Sequence, residues 1–348
     1  MPRRDLHSNK HNKMANALYG IGVGALLHPL QHAKTLVQLG YEPLPVQRGR
    51  QWFLFGKETY YLPNGFKIAG YIYRQQGITG LYKGVTACFC GNVVGFYASS
   101  KAKEYIEENY PVTRDDQKSI ADEYEALQKM MQKTAKASAA KCVGIIVARP
   151  FQVTMIRMIA RNIGGEEQSI SVFLPYGDEG KTEGIRGLFA GIIPQLIGEM
   201  CILWSSAAIM HAINRMWRSF VEKKGIGSGG SSDDADDEES DTDLEIEGDE
   251  MKPPQIVKKM MNFVVPYIVN SLFYPFQLVA TVMAVNGCGL AAGMEPHIPV
   301  FFSWSDCYAY LESRGQIRRG AKLFFRFYNG PLTWRSGKTY AALKYREL

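Results

Sequence analysis

Long stretches without Asp, Glu, Lys or Arg recur along the chain and alternate with polar connections. Met14 to Ala33 is a run of 20 such residues, Gly84 to Ser100 one of 17, and Met260 to Met294 one of 35. Each is long enough to cross a hydrocarbon core roughly 30 Å thick. Leu188 to Asn214 is broken only by Glu199, and Cys142 to Ile156 only by Arg149. The pattern predicts five membrane-spanning helices, the Cys142–Ile156 one marked least strongly.

The apolar segments repeat. Pro29-Leu30-Gln31, Pro150-Phe151-Gln152 and Pro275-Phe276-Gln277 each fall within an apolar stretch, with the prolines 121 and 125 residues apart. After the first comes Gln76-Gly77-Ile78-Thr79-Gly80-Leu81-Tyr82-Lys83-Gly84, and after the second Glu183-Gly184-Ile185-Arg186-Gly187-Leu188-Phe189-Ala190-Gly191. Both lead into another apolar helix. The unit is a proline-kinked span, a polar loop ending in a Gly-rich turn, and a second span. A proline inside a span removes one backbone hydrogen bond and bends the helix. Three at equivalent positions predict a three-fold pseudo-symmetric bundle.

The third copy departs from the others. Its turn reads Arg314-Gly315-Gln316-Ile317-Arg318-Arg319-Gly320, after which Arg326, Arg335, Lys338 and Lys344 interrupt every apolar stretch. Burying each of those charges in lipid costs roughly 2.5 to 3.5 kcal/mol on an insertion scale. A sixth span is therefore expected to be missing or to lie at the surface.

Charge is unevenly spread. The tract from Gly225 to Glu250 holds 12 of the 34 acidic residues and no basic one, leaving 40 basic against 22 acidic elsewhere. A basic bias fits nucleic acid or an anionic membrane surface, and the apolar runs select the membrane. The mean hydropathy of −0.17 is diluted by polar loops. The acidic tract cannot bury a core and reads as a disordered linker. The six cysteines have no C-x-x-C spacing, which speaks against a disulfide framework or zinc site. No nucleophile with a base, phosphate loop or metal cluster emerges, so neither enzyme activity nor a cofactor is expected. The boundaries that follow are a basic tail over 1–13, repeats over 14–110, 133–224 and 256–348, and linkers over 111–132 and 225–255.

These motifs resemble the mitochondrial carrier family, whose repeats carry Pro-x-acidic-x-x-basic at the kink. The resemblance implies an all-α membrane fold of three pseudo-repeats, here with a degenerate or missing sixth helix. The acidic position is held by Gln31, Gln152 and Gln277, and the basic one by Lys34, Met155 and Ala280. In a carrier those charges form a ring of ion pairs that closes one side, and this ring is not available here. Gly40-Tyr41-Glu42-Pro43-Leu44-Pro45, the stretch Met283 to Gly293, and Leu196-Ile197-Gly198-Glu199 with Leu203-Trp204 look like the carrier homolog subgroup. That resemblance implies a multi-pass protein of the mitochondrial outer membrane that inserts helical, including tail-anchored, proteins. It also implies links to a truncated BH3 apoptotic protein. A degenerate solute carrier and a receptor or scaffold for BH3 proteins and lipid metabolism stand as alternatives.

A five-helix barrel would leave a polar groove open to lipid, where the polar end of a client crosses at lower cost. The candidate lining residues are Gln31, Lys34, Asn92, Gln152, Glu199 and Gln277, with Pro29, Pro150 and Pro275 as the kinks. Lys34 reads either as groove lining or as snorkelling to the interface. Glu199 reads either as groove lining or as a capped or protonated carboxyl in a helix interface. Repeat alignment puts Asn92 at the Glu199 position. Arg149 and Arg157 read as snorkelling or lipid-binding. His28 and His32 have a spacing a metal could use, but no acidic or Cys partner, which favours interface histidines. Gly20, Gly22, Gly24, Gly91 and Gly95 read as close-packing positions.

Overall fold

The computed structural model describes residues 20, 22–52, 55–110, 123–165, 186–224, 255–295, 297–335 and 337–341. The basic tail, the start of the first apolar run and nearly all of the acidic linker lie outside the described residues. The ordered elements are α1 (His28–Leu39), β1 (Gln47–Trp52), β2 (Phe55–Tyr61), α2 (Gly65–Leu81), α3 (Val85–Asn109) and α4 (Glu123–Gly164). They continue with α5 (Ile192–Lys224), α6 (Gln255–Val285), α7 (Trp304–Ser313), β3 (Phe327–Tyr328), β4 (Leu332–Arg335) and β5 (Lys338–Ala341). The fold is helical, as expected, with short strands that the sequence reading did not anticipate.

Three described helical stretches are long and apolar enough to cross a membrane: Ala126–Gly164, Ile192–Trp217 and Met260–Val285. The least marked span of the sequence thus belongs to the 42-residue α4. The 35-residue apolar run does not stay helical to its end. Gly287 and Gly289 adopt positive φ angles of 67° and 85° just after α6 stops at Val285. Pro150 and Pro275 lie inside α4 and α6, but Pro29 does not kink a continuous helix. The helix over 22–26 ends in a turn at Leu27, and Pro29 sits in the first turn of α1. There its missing N–H would have had no intrahelical partner anyway.

Two compact units make up the chain. The first comprises Met1–Ala98, Gly144–Gln195 and Pro275–Leu348, and the second Ser99–Val143 and Leu196–Tyr274. In the first, Leu36, Leu39, Ile68, Val153, Ile159 and Val285 are buried in one apolar cluster. Gly91 and Gly95 support close packing there. A Cβ on Gly91 would meet Cβ of Phe151 at 2.9 Å, and one on Gly95 that of Ala148 at 2.9 Å. Gly20, Gly22 and Gly24 depart from the close-packing expectation, since nothing lies within 4 Å of a Cβ built on them.

The described residues after Ser313 contain no helix. They run through turns into β3, which pairs antiparallel with β2, placing Tyr60 opposite Tyr328 and Tyr61 opposite Phe327. With β1 the three strands form one sheet, and β4 and β5 form another. Arg326, whose charge argued against a span, is buried beside β2. It forms an ion pair with Glu42 and donates to Pro63 O at 3.0 Å. A bidentate, hydrogen-bonded carboxylate is the arrangement that makes a buried guanidinium tolerable.

Candidate functional site

The proline motifs and the Gly-rich turns meet in the first unit, and the contacts follow the repeat. His28, immediately before Pro29, donates from Nε2 to Lys83 O at 3.0 Å. Arg149, immediately before Pro150, donates from Nε to Ala190 O at 3.0 Å. Lys83 and Ala190 are equivalent: each precedes the positive-φ glycine, Gly84 or Gly191, that ends its turn. A carbonyl can only accept, so Nε2 of His28 carries the hydrogen. His32 Nδ1 likewise donates to Leu81 O at 3.1 Å, and its Nε2 accepts from Asn162 Nδ2 at 3.0 Å. Both histidines are fully buried. His32 has both ring nitrogens engaged, and the described residues hold no cluster of three or more metal-ligating side chains.

The arginines overturn their snorkelling assignment. Arg149 and Arg157 are 2% and 6% exposed. Arg149 also donates to Ala280 O at 2.9 Å and to the side chain of Gln195. Arg157 donates to Ala284 O at 2.9 Å and to Gly187 O at 3.2 Å. Each therefore ties its own repeat's turn to α6 of the next. Ala284 lies in the last turn of α6, where carbonyls lack intrahelical partners and the helix dipole favours a cation. In the third repeat Arg319 donates from Nε and Nη2 to Gln38 O, at 3.0 and 2.6 Å, near the end of α1. Gln38 and Ala284 each lie nine residues past a kink proline.

The expected lining residues separate into groups. Gln31 and Asn92 are exposed and joined through Cys88: its Sγ donates to Gln31 Oε1 at 3.8 Å and accepts from Asn92 Nδ2 at 3.7 Å. Gln31 Nε2 also contacts Met155 Sδ at 3.8 Å. Gln152 accepts from Gln195 Nε2 at 2.8 Å, which links it to Arg149. Gln277 is half-buried, and its carbonyl accepts from Thr281 Oγ1 at 3.0 Å. Lys34 is half-buried on α1. Glu199 belongs to the second unit, where it pairs with Lys141 Nζ at 2.9 Å, at 23% and 41% side-chain exposure. Glu199 is thus a partly exposed carboxylate capped by an ion pair, in place of a protonated one. Sequence reasoning missed Lys141, Arg149, Arg157 and Arg319 as partners. The matched placement of His28 and Arg149 before the prolines was the signal that could have flagged one of them.

Proline-marked helices latched by turn residues define a repeat-built helical membrane protein of the carrier type. The sequence signature described as Mitochondrial carrier protein matches residues 9–111 and 127–220, the first two repeats. Mitochondrial carrier homolog 1 of Mus musculus is 33% identical over 313 residues, covering 88% of this chain and 75% of that protein. Mitochondrial carrier homolog 2 of Mus musculus is 30% identical over 313 residues, covering 90% and 93%. The Mitochondrial pyrimidine nucleotide transporter RIM2 of Saccharomyces cerevisiae is 27% identical over 198 residues, covering 53% of this chain and 47% of its own. The chain belongs to the mitochondrial carrier family, in its carrier homolog subgroup. It is a mitochondrial membrane protein.

Proposed function

We propose that this protein is an insertase of the mitochondrial outer membrane for α-helical clients, tail-anchored proteins among them. The observation that carries the reading is the fate of the segment after α7. It forms strands against the loop of the first repeat and holds no helix among its described residues. The sequence predicts five spans where the repeat calls for six, and polar side chains such as the exposed Gln31 and Asn92 would then line a path beside lipid. A client's short polar end crosses more cheaply along a hydrated, locally thinned route. Burial of the client's apolar helix, at roughly 25 cal/mol per Å², supplies the driving force without nucleotide or metal.

The loss of charge at the kinks supports the same reading. Gln31, Gln152 and Gln277 hold the positions where ion pairs would close a transport gate, and Met155 and Ala280 cannot complete one. A truncated BH3 apoptotic protein is proposed as a further partner on the subgroup resemblance. Reconstitution in liposomes tests the function. Purified protein should raise insertion of a tail-anchored substrate above protein-free liposomes without an energy source. Metabolite exchange without insertion would overturn the proposal in favour of a degenerate solute carrier.

A further inference from the structure

The contacts of the Gly-rich turns form a cycle. The first turn meets α4 of repeat 2: Lys83 Nζ donates to Asn162 Oδ1 at 2.6 Å, and Gly84 packs against Met155. A Cβ on Gly84 would meet Met155 Cγ at 3.2 Å. The second turn meets α6 of repeat 3. A Cβ on Gly191 would lie 2.6 Å from Ala280 O, and Arg149 and Arg157 bridge the turn to Ala280 O and Ala284 O. The third turn meets α1 of repeat 1 through Arg319 and Gln38 O. The cycle is complete although the third repeat has no helix after its turn among the described residues.

From this we infer that the turn end of the first unit is a permanent seal, which stays closed throughout the protein's working cycle. Arg149, Arg157 and Arg319 are its positioning residues. At the second and third contacts they donate to backbone carbonyls of the neighbouring helix, Ala280 O, Ala284 O and Gln38 O, the last two each in a final helical turn. The Lys83 and Asn162 side chains hold the first contact. A backbone acceptor cannot rotate away to another donor as a carboxylate side chain can. Withdrawing either arginine of α4 would strand a buried guanidinium and unsatisfied carbonyls together. The glycines bring the turns close to the neighbouring helices, because neither carries a side chain that would hold Gly84 off Met155 or Gly191 off Ala280 O. Passage across this end would require all three latches to break, so any path the protein offers must avoid it. This holds whether the cargo is a helix, a lipid or a solute, and so does not depend on the insertase reading.

Spin labels on the full-length protein in liposomes test the seal. Thr79, Arg186 and Arg318 are exposed, one on each turn, and none makes a latch. Labels attached through p-acetylphenylalanine leave the six cysteines in place. Pairwise distances should each show one population that shifts by no more than about 2 Å when a tail-anchored client is added. A second population displaced by about 5 Å or more in any pair would overturn the seal. In Arg157→Ala the distance between Thr79 and Arg186 should broaden; an unchanged distribution would overturn the role given to that arginine. Turns that stay fixed in a protein that inserts no client would support the seal while overturning the insertase reading.

Discussion

In repeat 1 the residue ahead of the proline is His28, and in repeat 2 it is Arg149. Both reach the carbonyl that precedes their own turn glycine. His28 makes that bond through Nε2, and its Nδ1 is buried without a partner. Arg149 donates to two turn and helix carbonyls and to Gln195. The backbone arrangement is common to both repeats and the donor differs. The position is thus defined by the carbonyl to be satisfied, and the side chain decides whether the latch stays within a repeat or reaches the next.

Charged and neutral latches should differ in what they contribute. The largest effect is expected at the ion pair that joins repeat 1 to the third repeat. Glu42→Ala leaves Arg326 buried without its carboxylate and should cost about 3 to 5 kcal/mol, read by denaturant unfolding in detergent. Glu42→Leu combined with Arg326→Met should recover much of that, and failure to recover would mean the pair does more than neutralise itself. Next, Arg149→Ala should lose about 3 kcal/mol, since several acceptors lose a charged donor. His28→Ala should lose about 1 kcal/mol in the same assay. Equal losses at the two positions would break the comparison.

Smaller effects sharpen it. Lys141→Ala should change stability by less than about 1 kcal/mol, because the pair with Glu199 is half-exposed. Glu199→Arg should nonetheless lower client insertion in liposomes, and unchanged insertion across several clients would remove Glu199 from the groove. The smallest effect concerns Cys307 on α7. Burial pushes its thiol from 9.0 up to about 12, with the Arg319 guanidinium pulling the other way. The unfolded thiol ionises first, so this contribution to stability is complete below pH 9 and is lost as the pH rises toward 12. In the native state Cys307 should resist alkylation at pH 9, and rapid labelling there would show that the helix opens.

The repeats, kinks and turns were legible because proline and glycine act locally, through φ and a missing side chain. Pro29 still misled, because a proline that begins a helix and one that bends it look alike in sequence. The strands were hidden for a different reason. β1 reads Gln47-Arg48-Gly49-Arg50-Gln51-Trp52, with no alternation of apolar and polar residues to mark it. Polar candidates were found by type, but their partners were not. Arg149 meets Ala280 O across 131 positions, and Arg157 meets Ala284 O across 127. A backbone carbonyl carries no residue identity that a sequence could advertise.

The sheet joining the loop of repeat 1 to β3 also sets a timetable. Glu42 meets Arg326 across 284 positions, and β2 cannot gain its outer neighbour until β3 has been synthesised. At about 5 to 20 residues per second, the first loop waits roughly 15 to 60 s for its partner. During that interval one edge of β2 and the Glu42 carboxylate stand open in the nascent chain. A strand made long after the first repeat therefore completes it, and a chaperone acting on this protein would find its longest-lived target in the loop of that repeat.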